Sequence, residues 1–122
     1  MPQPTMPELE SLAASLPSMG GRKIGSFLRP AARDVPQDTN IVELGSWLGS
    51  GTAQMALGLL DRPSFDGVSI NCFDRWTASE SEVGKAAKQG VTLTEGMDTL
   101  PWVREKLAPF GVPIHYERGK IE

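Results

Sequence analysis

One cysteine and one histidine stand in a chain of 122 residues, and each scarcity removes a class of chemistry. The lone thiol, Cys72, cannot close an internal disulfide and excludes a cysteine-rich metal cluster. Basic clusters are missing as well. The chain holds 12 Lys and Arg against 15 Asp and Glu, a net charge of −3, with no basic run longer than Arg22-Lys23. Nucleic acid and anionic membrane both need clustered cations, so neither is expected as a partner. The longest apolar run, Met55–Leu60, is far too short to span a bilayer. The opening residues, MPQPTMPELE, lack the basic and apolar regions of a secretory signal. Together these absences predict a single-domain, soluble, cytoplasmic protein.

What is present falls into two parts. Residues 1–39 read as a helical segment, and 40–122 as an alternation of strands and helices. Thr5 and Glu8 form a T-x-x-E capping box, followed by Leu9, Leu12, Ala13 and Leu16 on one stripe, with Pro17 ending it. After Gly20-Gly21 a second stripe, Ile24, Phe27, Leu28 and Ala31, predicts a helix kinked or split at Pro30. Arg22, Lys23, Arg29 and Arg33 read as its solvated face.

From Asn40 the pattern changes. Ile41–Leu44 predicts a strand, and Thr52–Leu60 a helix that is apolar nearly all round. Val68–Phe73 predicts a second strand ending at Asp74. Helices follow over Ser79–Gln89, with a Ser79/Glu82 capping box, and over Leu100–Phe110, closed by Gly111. Pro113–Glu117 predicts a third strand. The order βαβαβ predicts an α/β fold: right-handed crossovers and a partial, Rossmann-like parallel sheet of about three strands, preceded by helices.

Between the first strand and its helix lies the stretch IVELGSWLGSGTAQMA. A strand that runs through glycines into a helix presents free amides at a positive helix end. The dinucleotide pattern G-x-G-x-x-G fails here, because Gln54 occupies the third glycine position after Gly49 and Gly51. The P-loop pattern fails too, because no lysine lies between Lys23 and Lys85. What remains is Glu43-x-Gly45-x-x-x-Gly49, with Asp74 closing the second strand, where a carboxylate can grip both hydroxyls of a ribose.

This constellation resembles class I S-adenosylmethionine-dependent methyltransferases. The wording IVELGSWLGSGT, with FDRW about thirty residues later, is similar to the branch of macrocin O-methyltransferases and cephalosporin hydroxylase-like proteins. The resemblance covers roughly residues 20–122. It implies an S-adenosylmethionine cofactor whose methionine part is lined by Gly45, Ser46, Trp47 and Gly49. It implies that Glu43 orients the loop and the cofactor amino group, that Asp74, followed by Arg75, holds the ribose, and that Arg118-Gly119-Lys120 flanks adenine. Lys120 departs from the usual Gly-Asp there, and Gly51 from a common serine. From the residues alone, Glu43 reads equally as an anion beside the helix amides, and Trp76 as a packing residue or an adenine neighbour. Trp47 is expected over the pocket. His115 reads as a core histidine rather than a general base, and Cys72 as an inert buried thiol.

The resemblance also implies a small-molecule or sugar O-methyltransferase whose acceptor and metal motifs come after a fourth strand. The sequence stops at Gly119-Lys120-Ile121-Glu122, where that strand would begin. The expectation is therefore a cofactor-binding part without assigned catalytic or metal residues; the alternative is a non-catalytic module that assembles with other chains. In the full strand order 3-2-1-4-5, strand 1 is central. Here it becomes an apolar edge, which predicts a homo-oligomer or an edge covered by the N-terminal helices.

Overall fold

The structure, a computed structural model, describes residues 3–119 apart from the Arg22 side chain. Its elements follow the order α1 (Met6–Ser15), α2 (Arg22–Arg33), β1 (Asn40–Leu44), α3 (Ser50–Leu60), β2 (Ser69–Asp74), α4 (Glu80–Ala87), α5 (Leu100–Leu107) and β3 (Ile114–Arg118). The three strands form one parallel sheet in the order β1-β2-β3. This is an α/β fold of partial Rossmann-like form. None of the described helices is long and apolar enough to cross a membrane.

Local signals place the helix ends. Both capping boxes form: Thr5 and Glu8 at α1, Ser79 and Glu82 at α4. Gly111 closes the 3₁₀ turn after α5 at φ +68°, a left-handed conformation that favours glycine. α3 is apolar nearly all round because it is buried nearly all round, with Ala53, Ala56, Leu57 and Leu59 fully covered.

Successive crossovers of one hand, stepping in one direction across the sheet, put their helices on the same face. The burial pattern agrees. Ile70 and Cys72 of β2 are fully buried, while Ser69, Asn71 and Phe73 between them are only half-buried. On β3, Ile114 and Tyr116 are half-buried and His115 and Glu117 exposed. His115 is therefore not a core histidine as expected. It projects from the uncovered face, in one cross-strand row with Val42 and Asn71.

α2 departs further from expectation. It runs unbroken from Arg22 to Arg33 with Pro30 inside, and the stripe read as its buried face is largely outward: Ile24 is 50% and Phe27 72% exposed. The helix docks on α3 through small residues instead. A Cβ on Gly58 would stand 3.0 Å from Ala32 Cβ and inside contact distance of the Arg29 carbonyl; one on Gly25 would stand 3.1 Å from Gln54 Cγ. That rotation also removes Arg29 from the solvated face. Its guanidinium takes Asp61 in a bidentate grip, at 2.7 and 2.9 Å, and Glu10 at 2.7 Å. It so ties α1, α2 and the end of α3 together. The pairing raises the Arg29 pKa and holds Asp61 below the usual carboxylate range.

The N-terminal helices pack on α3 and leave Val42 and Leu44 of β1 exposed, at 58% and 64%.

Candidate functional site

At the carboxyl ends of β1 and β2 the chain builds a cavity of about 380 Å³. Its floor is the glycine loop: Gly45, Ser46, Trp47, Ser50 and Gly51. Two carboxylates enter from the strands, Glu43 and Asp74, and a third, Glu82, from α4. The remaining wall comes from the α1–α2 connection, Pro17–Gly20, and from Ile24, Gly25 and Leu28 of α2. Among the described residues no lysine, arginine or histidine lines it.

Each part of this geometry has a local cause. Gly45 and Gly49 take φ +78° and +90°, and Gly49 caps α3 with no side chain on its amides. The first-turn amides of Ser50 and Gly51 thus lack intrahelical partners and face the loop. A side chain at Gly49 would also come within 3.3 Å of Leu107. Trp47 and Trp76, both non-glycine, sit at φ +50° and +56°. Asp74 holds the two strained turns together: Trp47 N donates to its Oδ2 at 2.9 Å and Trp76 N to its Oδ1 at 2.8 Å. Each carboxylate oxygen keeps a second acceptor lone pair.

Glu43 is held from below. Thr52 Oγ1 donates to its Oε1, and the Cys72 thiol lies 3.7 Å from the same atom. The other oxygen, Oε2, points toward Gly51, where a Cβ would stand only 2.6 Å away. Burial, with the Glu43 charge nearby, pushes the Cys72 thiol up to about 12, which keeps it protonated and inert. Two polar atoms of the loop, Ser46 Oγ and Trp47 Nε1, are buried without a hydrogen-bond partner among the described residues. Unmet groups of this kind carry a cost in a folded protein, and binding sites are where such costs concentrate.

The expected site residues divide on this basis. Glu43, Gly45, Ser46, Trp47 and Asp74 come together in the cavity, while Gly49 supports it from the helix cap. Arg75 and Gly119 do not line it. Arg75 is exposed, and its carbonyl accepts from Arg118 Nη1 at 3.0 Å; Gly119 N donates to the Asp74 carbonyl at 3.0 Å. Lys120 lies outside the described residues. Trp76 is fully buried, its Nε1 donating to the Glu117 carbonyl at 2.9 Å and its ring edge-on to Tyr116. It is a packing residue that ties β2 to β3.

Sequence reasoning missed Thr52, Glu82 and the α1–α2 connection. Thr52 had a readable signal: it is a hydroxyl in the first turn of an otherwise apolar helix, beside a strand carboxylate. The connection had none, because its place on the wall depends on how two helices dock. Among the described residues no group of three His, Cys, Asp or Glu side chains is placed to hold a metal ion. No protein-family model matches the chain, and no curated protein is significantly similar to it.

Proposed function

We propose that this cavity binds S-adenosylmethionine, and that the chain is the cofactor-binding part of a small-molecule or sugar O-methyltransferase. The observation that carries this reading is the charge and donor pattern of the wall. Three carboxylates, with no cationic side chain among the described residues, suit a ligand bearing positive charge and disfavour the polyphosphate of a nucleotide. The free first-turn amides of α3 suit an amino-acid carboxylate. Glu43 Oε2 suits the ammonium beside it, and the second lone pairs of Asp74 suit a ribose diol. Ser46 Oγ and Trp47 Nε1 fit the same picture as loop groups with no partner among the described residues.

When bound, the cofactor supplies a methyl group on a positively charged sulfur for transfer to a nucleophilic oxygen. The contribution of these residues is to hold and orient it. The loop amides and Glu43 fix the amino-acid end, Asp74 the sugar, and the Trp47 ring forms a dry wall. An ordered site of this kind lowers a barrier by fixing reacting partners before the step rather than by adding a reactive group.

Calorimetric titration with S-adenosylmethionine, its demethylated product, NAD and ATP tests the reading. Binding of the first two and not the last two is expected. Gly51→Ala is the matching variant. Its Cβ displaces the free Glu43 oxygen, the mobile end of a side chain, so affinity is expected to fall about tenfold with the melting temperature retained. Absence of binding at millimolar ligand overturns the proposal.

A second reading, a non-catalytic module that assembles with other chains, is favoured by the exposed edge of β1. For such a module Gly51→Ala changes nothing measurable.

A further inference from the structure

A hydroxyl stands in the core under the glycine loop, where a methyl group would pack. Thr52 is fully buried in the first turn of α3, beside the buried apolar residues Ala53, Met55, Ala56 and Leu57. Valine has the same shape and would carry no polar group into that setting. The hydroxyl is directed at one carboxylate. Thr52 Oγ1 donates to Glu43 Oε1, and the Cys72 sulfur stands 3.7 Å from both atoms. Glu43 and Cys72 are register partners on β1 and β2, on the covered face of the sheet. The two Glu43 oxygens are thereby made unequal. Oε1 takes the hydroxyl and faces the thiol. Among the described residues nothing donates to Oε2, and no lysine or arginine pairs with the carboxylate. Oε2 lies on the Gly51 side, and Glu43 and Gly51 both line the cavity.

We infer that Thr52 is a positioning residue: it aims Glu43 Oε2, and so makes the cavity select ligands that carry an ammonium group at that point. The inference rests on the cavity binding S-adenosylmethionine, whose amino group Glu43 then receives. Thr52 itself touches no ligand, because it is fully buried and does not line the cavity. It acts through the carboxylate alone. A glutamate side chain is long and rotamer-rich, so an untethered one samples many orientations at a cavity wall. Fixing one oxygen from below leaves the other in one place before any ligand arrives, and less ordering remains to be done on binding. The Cys72 thiol is the lesser partner, since a thiol is a weak donor. Cys72→Ala is accordingly expected to leave ligand selectivity unchanged.

Calorimetric titration with a pair of ligands tests this: S-adenosylhomocysteine, the demethylated product, and its analogue lacking only the amino group. The unaltered chain is expected to favour the first. Thr52→Val is expected to weaken the first about tenfold and to leave the second unchanged, so that selectivity collapses. Thr52→Ser keeps the hydroxyl and is expected to restore it. In a Glu43→Gln background Thr52→Val is expected to add no further loss, because the residue acts through the charge. Should Thr52→Val fail to fold, Thr52→Ala against Thr52→Ser makes the same comparison. Equal weakening of both ligands, a loss that Thr52→Ser does not restore, or a further loss in the Glu43→Gln background overturns the positioning role. Thr52 is then a packing residue, while cofactor binding by the unaltered chain stands. Failure of the unaltered chain to bind either ligand overturns the cofactor reading, and this inference with it.

Discussion

Asp74 does two things at once, and they pull apart under mutation. Its carboxylate accepts the amides of Trp47 and Trp76, two residues held at positive φ. It is also the carboxylate proposed for the ribose. Asn at this position keeps one acceptor and replaces the other by a donor, so one tryptophan amide is left unpaired. Asp74→Asn is expected to destabilise the fold by about 1–3 kcal/mol, read as a lower urea midpoint, alongside any loss of ligand. Lost binding in that variant therefore does not by itself assign the ribose contact. Gly51→Ala is the cleaner probe, because the clash falls on a carboxylate that can move. Cys72 gives a residue-scale test of burial. Its thiol is raised by burial first and by the Glu43 charge second, from an ordinary 9.0 to about 12. A folded-state pKa above the unfolded one gives stability that is complete below pH 9 and is lost as pH rises toward 12. Tyr116, raised by burial from 10.0 to about 12, adds to the same loss above pH 10. Urea midpoints are expected to hold from neutral pH to 9 and fall beyond it, less steeply in Cys72→Ser. An equally steep fall in that variant would assign the slope to other groups.

Among the elements, the α2–α3 contact shows how differently two glycines of one helix behave. Gly51 meets a flexible carboxylate, whereas a Cβ on Gly58 meets the Arg29 carbonyl and Ala32. Backbone cannot step aside without moving the helix. Gly58→Ala is therefore expected to cost about 1–3 kcal/mol, even though alanine is favoured over glycine in a helix by about 1 kcal/mol. Thermal unfolding of the two alanine variants, Gly51→Ala and Gly58→Ala, is the direct comparison; equal melting temperatures would contradict the close packing. This contact also marks where sequence reasoning stopped. Helix ends were legible because caps are local: Thr5 with Glu8, Ser79 with Glu82, and Gly111 each act within a few residues. The strand order βαβαβ and the place of Asp74 were legible for the same reason. The facing of α2 was not, because reading Ile24 and Phe27 as buried assumed that the most apolar stripe docks. The helix docks through Gly25 and Ala32, whose value is closeness rather than area. His115 was misread because parallel strands are usually buried on both faces. The alternation of Ile114 and Tyr116 with His115 and Glu117 was in fact the pattern of a sheet covered on one side.

For the whole molecule, the N-terminal helices and the glycine loop share one cavity, so the proposed ligand binding is expected to be coupled to helix docking. Pro17–Gly20 wall the site, and two side chains reach that connection: Lys85 of α4, its Nζ 3.8 Å from Met19 Sδ, and Gln89 in the turn after α4. Ser18 N donates to Gln89 Oε1 at 2.8 Å, and Gln89 Nε2 donates to the Ser18 carbonyl at 3.0 Å. The two bonds imitate one rung of a sheet, and they join the wall to the turn that follows α4, the helix that carries Glu82 into the cavity. Gln89 is exposed and is not among the residues lining the cavity, so its loss leaves the floor of the site intact. In Gln89→Ala the connection is released at one point, and each of the two hydrogen bonds contributes about 1 kcal/mol. Ligand is then expected to dissociate several-fold faster, with an association rate little changed, because the open form of the wall is no longer opposed. Stopped-flow release of bound S-adenosylmethionine measures the dissociation rate, and hydrogen exchange at the Ser18 amide is expected to show a loss of protection that ligand restores. Unchanged release together with unchanged exchange would mean that the connection lines the cavity without closing it.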